Sequence, residues 1–157
     1  MAIKYSSDRT GFDIFHKLCD LIPDLFSIEE SGKSQVAGFM DLNLDVLHRS
    51  PERLVIALSH YYKHRSGDMI ADPDMEIAVF RHEEYAEAMT YQDSFGYQAV
   101  DNCDGIKANC LQASLNRFLV AWLGNLISQG HRINNKLQVS LPLSGPSCKG
   151  LHCEEQV

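Results

Sequence analysis

His60 and His64 stand four residues apart in "SHYYKHRSGDMIADPDMEI" (Ser59 to Ile77), and Asp68, Asp72 and Asp74 follow directly. Imidazoles and carboxylates in such a run could hold a metal ion or move protons. On a helix, a step of four puts two imidazoles on one face, the arrangement zinc proteases use. The residues around this pair are β-formers, however, and on a strand rising roughly 3.3 Å per residue the two rings stand about 13 Å apart. One metal ion with ligands at about 2.1 Å does not bridge that gap. The protease pattern also needs Glu directly after the first His, where this chain has Tyr61. A metal-dependent enzyme built on His60, His64 and the Asp68–Asp74 region is therefore the alternative reading.

The aspartates invite a calcium loop, since hard cations favour clustered oxygens. Counting from Asp68, the third position is Ile70 and the required glycine is missing. Gly67-Asp68 and Asp72-Pro73 are turn chemistry, so "GDMIADPD" reads as a connecting loop whose aspartates cap backbone amides. Near the C-terminus, Cys148, His152 and Cys153 form a small ligand-type cluster that Cys103 or Cys110 could complete. Nothing in the tail fixes their geometry, and no metal or other cofactor is expected. No phosphate-cradling glycine loop and no nucleophile elbow occurs, so no catalytic residue is assigned.

Charge is unevenly placed. The net charge is −7, yet the segment Asp68–Asp104 holds ten acids against a single base, Arg81. That segment is −9, and the remainder is about +2 from 13 bases and 11 acids. An acidic face opposes phosphate contacts, so direct nucleic-acid binding is not expected. It suits a protein partner with a basic surface. The expected partner-binding residues are Asp68, Asp72, Asp74, Glu83, Glu84, Glu87 and Tyr62. Five irregularly spaced cysteines argue against a secreted disulfide framework. With no signal-peptide pattern and no long apolar run, the expected location is the cytoplasm and no membrane is involved.

The elements that must position these groups follow from periodicity. Phe12, Phe15, Leu18, Cys19 and Ile22 recur at helical steps and predict a helix over Arg9–Ile22, opened by a Thr10/Asp13 capping box and closed by Pro23. "VAGFMDLNLDVLHRS" alternates, with Met40, Leu42, Leu44 and Val46 on one side and Asp41, Asn43 and Asp45 on the other. "RLVIALSHYYKH" is a second strand after a Ser50-Pro51 turn, "MEIAVFRH" a third, "EYAEAMTYQ" a fourth and "FGYQAVD" a short fifth. A long, largely covered helix runs from about Asn109 to a glycine stop at Gly130, with Phe118, Trp122 and Leu126 facing the core. The expected fold is α+β: an antiparallel meander of about five strands against an N-terminal helix and a long C-terminal helix. Residues 1–139 form the single domain and residues 140–157 a loose tail, with an extra strand allowed at Lys136–Leu141.

Three pieces, "LSHYYKHRSGDMIADPDMEIAV", "AEAMTYQDSFGYQAV" and "LNRFLVAWLGNLISQGH", span about Leu58 to His131. In that order they resemble a family of small uncharacterised bacterial proteins, a domain of unknown function of proteobacteria and their mobile elements. The N-terminal third and the cysteine-bearing tail depart from that pattern. The resemblance brings no catalytic residues; it implies a plasmid- or phage-associated setting. The expected function is a non-enzymatic acidic interaction module, an anti-defence candidate that inhibits a host nucleic-acid-handling or defence complex. The residues also allow a homo-oligomer.

Overall fold

The helical period at the N-terminus forms α1 (Thr10–Leu21), and Ile14, Leu18 and Leu21 on its inner face are fully buried. A computed structural model describes residues 9–134. After α1 come β1 (Ser31–Ser34), β2 (Leu42–Arg49), β3 (Leu54–Lys63), β4 (Met69–Phe80), β5 (Tyr85–Ala88), β6 (Thr90–Asp93), β7 (Gly96–Ala99) and α2 (Gly105–Ser128). The fold is α+β, with an antiparallel sheet in the order β1-β2-β3-β4-β6-β7 and β5 added beside β4. Among the described residues the sheet has seven strands rather than five. β1 is "SGKS", too polar and short to announce itself, and "EYAEAMTYQ" is two strands. They break at Met89, whose N–H bonds the carbonyl of Glu76.

The loop expected over Gly67–Asp74 is the largest correction. Only the turn at His64–Asp68 leaves the sheet, and β4 starts at Met69 and carries Asp72, Pro73 and Asp74 within it. Ser59 pairs with Asp74 and Tyr61 with Ala71, so Asp72 and Pro73 together face His60. This bulge is where a residue without an N–H can enter a strand, because the extra residue makes no ladder bond. The Asp72-Pro73 peptide is cis. Two smaller expectations also fail. Arg9 occupies the cap position of α1 in near-helical geometry and supplies no side-chain bond, so the start is not the Thr10/Asp13 box. Met40 precedes β2 and is half-exposed.

One face of the sheet packs on the helices. Leu42 and Leu44, Leu54, Ile56 and Leu58, and Met75, Ile77 and Val79 alternate inward and share one core with Leu115, Leu119 and Leu123 of α2. Such side chains contribute about 1.5–3 kcal/mol each on burial. α2 begins earlier than its stripe predicts, and its first turns are uncovered, with Ile106 81% exposed. Trp122 and Leu126 are buried as expected, whereas Phe118 is half-exposed. Gly130 (φ +90°) ends the helix, with the N–H of His131 returning to Leu126 and that of Gly130 to Ile127. The chain does not loosen there: Ile133 is buried and its N–H bonds the carbonyl of Leu21. The proposed strand at Lys136–Leu141, the boundary at 139/140 and the cluster Cys148, His152 and Cys153 lie outside the described residues. Among the described residues, no helix is long and apolar enough to cross a membrane.

Candidate functional site

The two histidines of the opening motif part company. His60 is on the inner face of β3 and buried; its Nδ1 lies 2.8 Å from the carbonyl of Asp41, and its ring meets Trp122 edge-on. His64 is exposed in the β3–β4 turn, where its Nδ1 lies 3.1 Å from the Ser66 hydroxyl. The neighbour of His60 is His131, with ring centroids 5.9 Å apart. His131 is pinned through Nδ1 to Ser34 (3.0 Å), and burial first, then the charge of His60, pushes its pKa down. Sequence reasoning missed this pair because His131 follows the helix stop, outside any periodic element. It ties β1, β3 and the end of α2 together. Among the described residues, no group of three or more His, Cys, Asp or Glu is placed to hold a metal ion.

The outer face of the sheet, away from the helices, carries the chemistry. Directly paired residues on neighbouring strands point to the same side. The register therefore builds a row Lys33–Asn43–Ser59–Asp74–Gln92–Tyr97 across β1, β2, β3, β4, β6 and β7. One step away lies a second row, Asp45–Ala57–Glu76. Small residues line the middle strand, and carboxylates from β2 and β4 flank it. At a strand spacing of about 4.8 Å, Asp45 and Glu76 stand roughly 10 Å apart across Ala57. Ala57 is 8% exposed at the floor between them, so a basic group would be met by the carboxylates above β3. The Ser59 hydroxyl, in a residue only 1% exposed, has no hydrogen-bond partner. Tyr61 directs its hydroxyl at Asp74 over a long 3.5 Å.

Partial burial pushes the Asp74 carboxyl up; the Tyr61 hydroxyl opposes this and Asp45 adds to it. Lys33 is spent on Asp41 (2.9 Å), which also receives the Gln35 amide. At the β6–β7 hairpin, burial and then the Asp93 carboxylate push Tyr91 up to about 12, so it stays protonated and donates to Asp93 (3.0 Å). Phe95 at the hairpin tip is 96% exposed and Tyr97 57%. Carboxylates bordered by aromatic faces are the chemistry that receives ammonium and guanidinium groups.

The residues singled out by charge fall into separate groups. Asp74 belongs to this face, Asp72 to the bulge and Asp68 to the exposed turn before β4. Tyr62 is half-buried and pairs with Ile70. Glu83 and Glu84 are exposed in the turn after β4, and Glu87 is half-buried in β5. β4 alone spans roughly 36 Å at the usual rise, so Asp68 and Glu83 sit near opposite ends of the sheet. Asp45 and Glu76 were missed as site residues; the signals for them were the alternation that put Asp45 on the polar side of its strand and the place of Glu76 in the acidic segment Asp68–Asp104.

Asp74 gives a direct test. Its folded pKa lies above the unfolded value of about 3.9. The stability it contributes is therefore fully present below that value and lost as pH rises through the folded pKa. Asp74→Asn should stabilise the protein at pH 7 by about 0.5 kcal/mol, a discounted figure for a half-exposed carboxylate. The gain should vanish toward pH 3.5, and thermal melts at both pH values check it. Destabilisation at pH 7 would mean that Asp74 is a structural acceptor.

No curated protein and no solved structure matches the chain. A family model, "Domain of unknown function (DUF6908)", matches residues 14–132. The match takes in most of α1, the seven strands and α2, so the N-terminal third, expected to depart from the family pattern, lies largely within it. With that span covered, the chain belongs to the DUF6908 family.

Proposed function

We propose that this protein is a non-enzymatic interaction module whose outer sheet face receives a basic segment of a protein partner. The observation that carries the reading is the convergence of Asp45, Asp74 and Glu76, from two strands, on the solvent side of the sheet. Charge complementarity of this kind raises association rates and selects partners more than it adds raw affinity. The finer reading is an inhibitor encoded by a proteobacterial mobile element, which occupies the basic groove of a host nucleic-acid-handling or defence complex. The acidic balance of the chain and its resemblance to mobile-element proteins support that version by analogy.

A labelled arginine-rich peptide, followed by fluorescence anisotropy, tests the face itself. Wild type should bind saturably at low ionic strength and more weakly at physiological salt, where screening acts over about 8 Å. The double variant Asp45→Asn/Glu76→Gln should bind at least about tenfold more weakly, the equivalent of 1.4 kcal/mol. The triple variant Glu83→Lys/Glu84→Lys/Glu87→Lys changes the far end of β4 and should bind nearly as well as wild type. Loss in the triple variant alone would move the site to that end. No saturable binding by wild type would remove the reading.

A further inference from the structure

The acidic sheet has one basic end. Arg49 closes β2, Arg53 immediately precedes β3 and Arg81 immediately follows β4. Because β3 runs antiparallel to both neighbours, these three positions come to the same end of the strands. The segment after α1 crosses that end. Arg49 donates to the carbonyls of Phe26, at 2.6 Å, and Ile28. Arg81 sets its guanidinium 4.9 Å from the centroid of the Phe26 ring. The Ser50 hydroxyl holds the intervening turn by accepting from the N–H of Arg53 (3.0 Å).

Between them lies a cavity of about 360 Å³, lined by all three arginines, with Phe26, Leu54 and Val79 as apolar walls. That volume falls in the range of small-molecule sites. One carboxylate, Glu52, also lines it, so its lining carries two net positive charges in a chain of −7. Glu83 and Glu84, in the turn after Arg81, are not among the lining residues. Among the described residues, the partners of Arg49 and Arg81 are uncharged, backbone carbonyls for the first and an aromatic ring for the second, while Nη2 of Arg53 turns away to the Met89 thioether at 3.5 Å, in a second pocket that Glu87 and Asp101 also line. Guanidinium forks match the oxygens of phosphate and carboxylate. A phosphate monoester is close to a dianion at neutral pH and balances the lining charge.

We infer that this cavity binds a small organic phosphate, its phosphoryl oxygens on the guanidiniums of Arg49 and Arg81 and its carbon skeleton against Phe26, Leu54 and Val79. The site lies on the helix side of the sheet and does not depend on the acidic outer face. Titration calorimetry with phenyl phosphate, at constant ionic strength, tests it, with inorganic phosphate as the second probe. Phenyl phosphate should bind saturably and at least about fivefold more tightly than inorganic phosphate. Arg81→Gln, at an exposed turn position, should keep the fold by circular dichroism and weaken binding about tenfold or more. Arg65→Gln, in the β3–β4 turn, should bind as wild type does. Three results would each overturn the inference: no saturable heat, equal loss in both variants, or inorganic phosphate binding as tightly as phenyl phosphate.

Discussion

Trp122→Ala should cost about 3–5 kcal/mol of stability, the range for removing a buried aromatic side chain when the surroundings cannot close the gap. The indole is 8% exposed and sits where α2 meets the sheet. Its ring contacts His60 of β3 at 5.5 Å and Phe118 of α2 at 6.3 Å. His60 in turn neighbours His131, so the cavity would open beside two buried imidazoles and admit water to both. Neither helix could collapse into the space, because α1 and α2 are already packed against each other over their inner faces. Urea titration should show a lower midpoint with little change in slope, and the melting temperature should fall by on the order of 10 °C. Trp122→Phe should recover at least half of the loss. A cost under about 1 kcal/mol for the alanine variant would contradict the docking of α2 described above.

The second large effect is expected at Asn116. α2 uses two side chains one turn apart to take the place of a neighbouring strand beside β5. Asn116 accepts the N–H of Ala88 through Oδ1 at 2.8 Å, and the Gln112 amide donates to the carbonyl of Ala88 at 3.4 Å. Asn116 is 3% exposed, so water cannot replace it once it is gone. Asn116→Ala leaves a buried N–H without an acceptor, a loss of about 1–3 kcal/mol. The matching local signature is faster hydrogen exchange at the Ala88 amide, which global destabilisation alone would not single out. Asn116→Asp retains an acceptor and should preserve that protection even if a buried charge lowers overall stability. Retained protection in Asn116→Ala would show that the clamp does not hold β5.

Much of the architecture was legible because the signal is local. The helical steps of Phe15, Leu18 and Ile22, the alternation of Leu42 and Leu44 with Asn43 and Asp45, and the Gly130 stop all correspond to real features. Failures came where a different rule prevailed. Pro73 reads as a loop because proline breaks a sheet ladder, yet a bulge gives it a place that needs no donor. "SGKS" has no apolar pattern because β1 is an edge strand, held by pairing with β2. His131 and Ile133 follow the helix as a few unpatterned residues, and only contact with β1 and α1 reveals that they are core.

The candidate sites were less legible than the fold. By itself the amino-acid sequence determined the α+β class, the two amphipathic helices, the polar side of β2 and the excess of acid between Asp68 and Asp104. Those are properties of single segments, set by the tendency of each to bury its apolar side. Tertiary structure alone decided which charges meet. The register between β2, β3 and β4 brings Asp45, Asp74 and Glu76 to one face and separates Glu83 and Glu84 from Asp68 by the length of β4. The antiparallel order gathers Arg49, Arg53 and Arg81, scattered over 33 positions, at one end of the central strands. The reason is that pairing across strands depends on bulges and turns that no single segment encodes, while a shift of one residue would turn every one of these side chains to the opposite face.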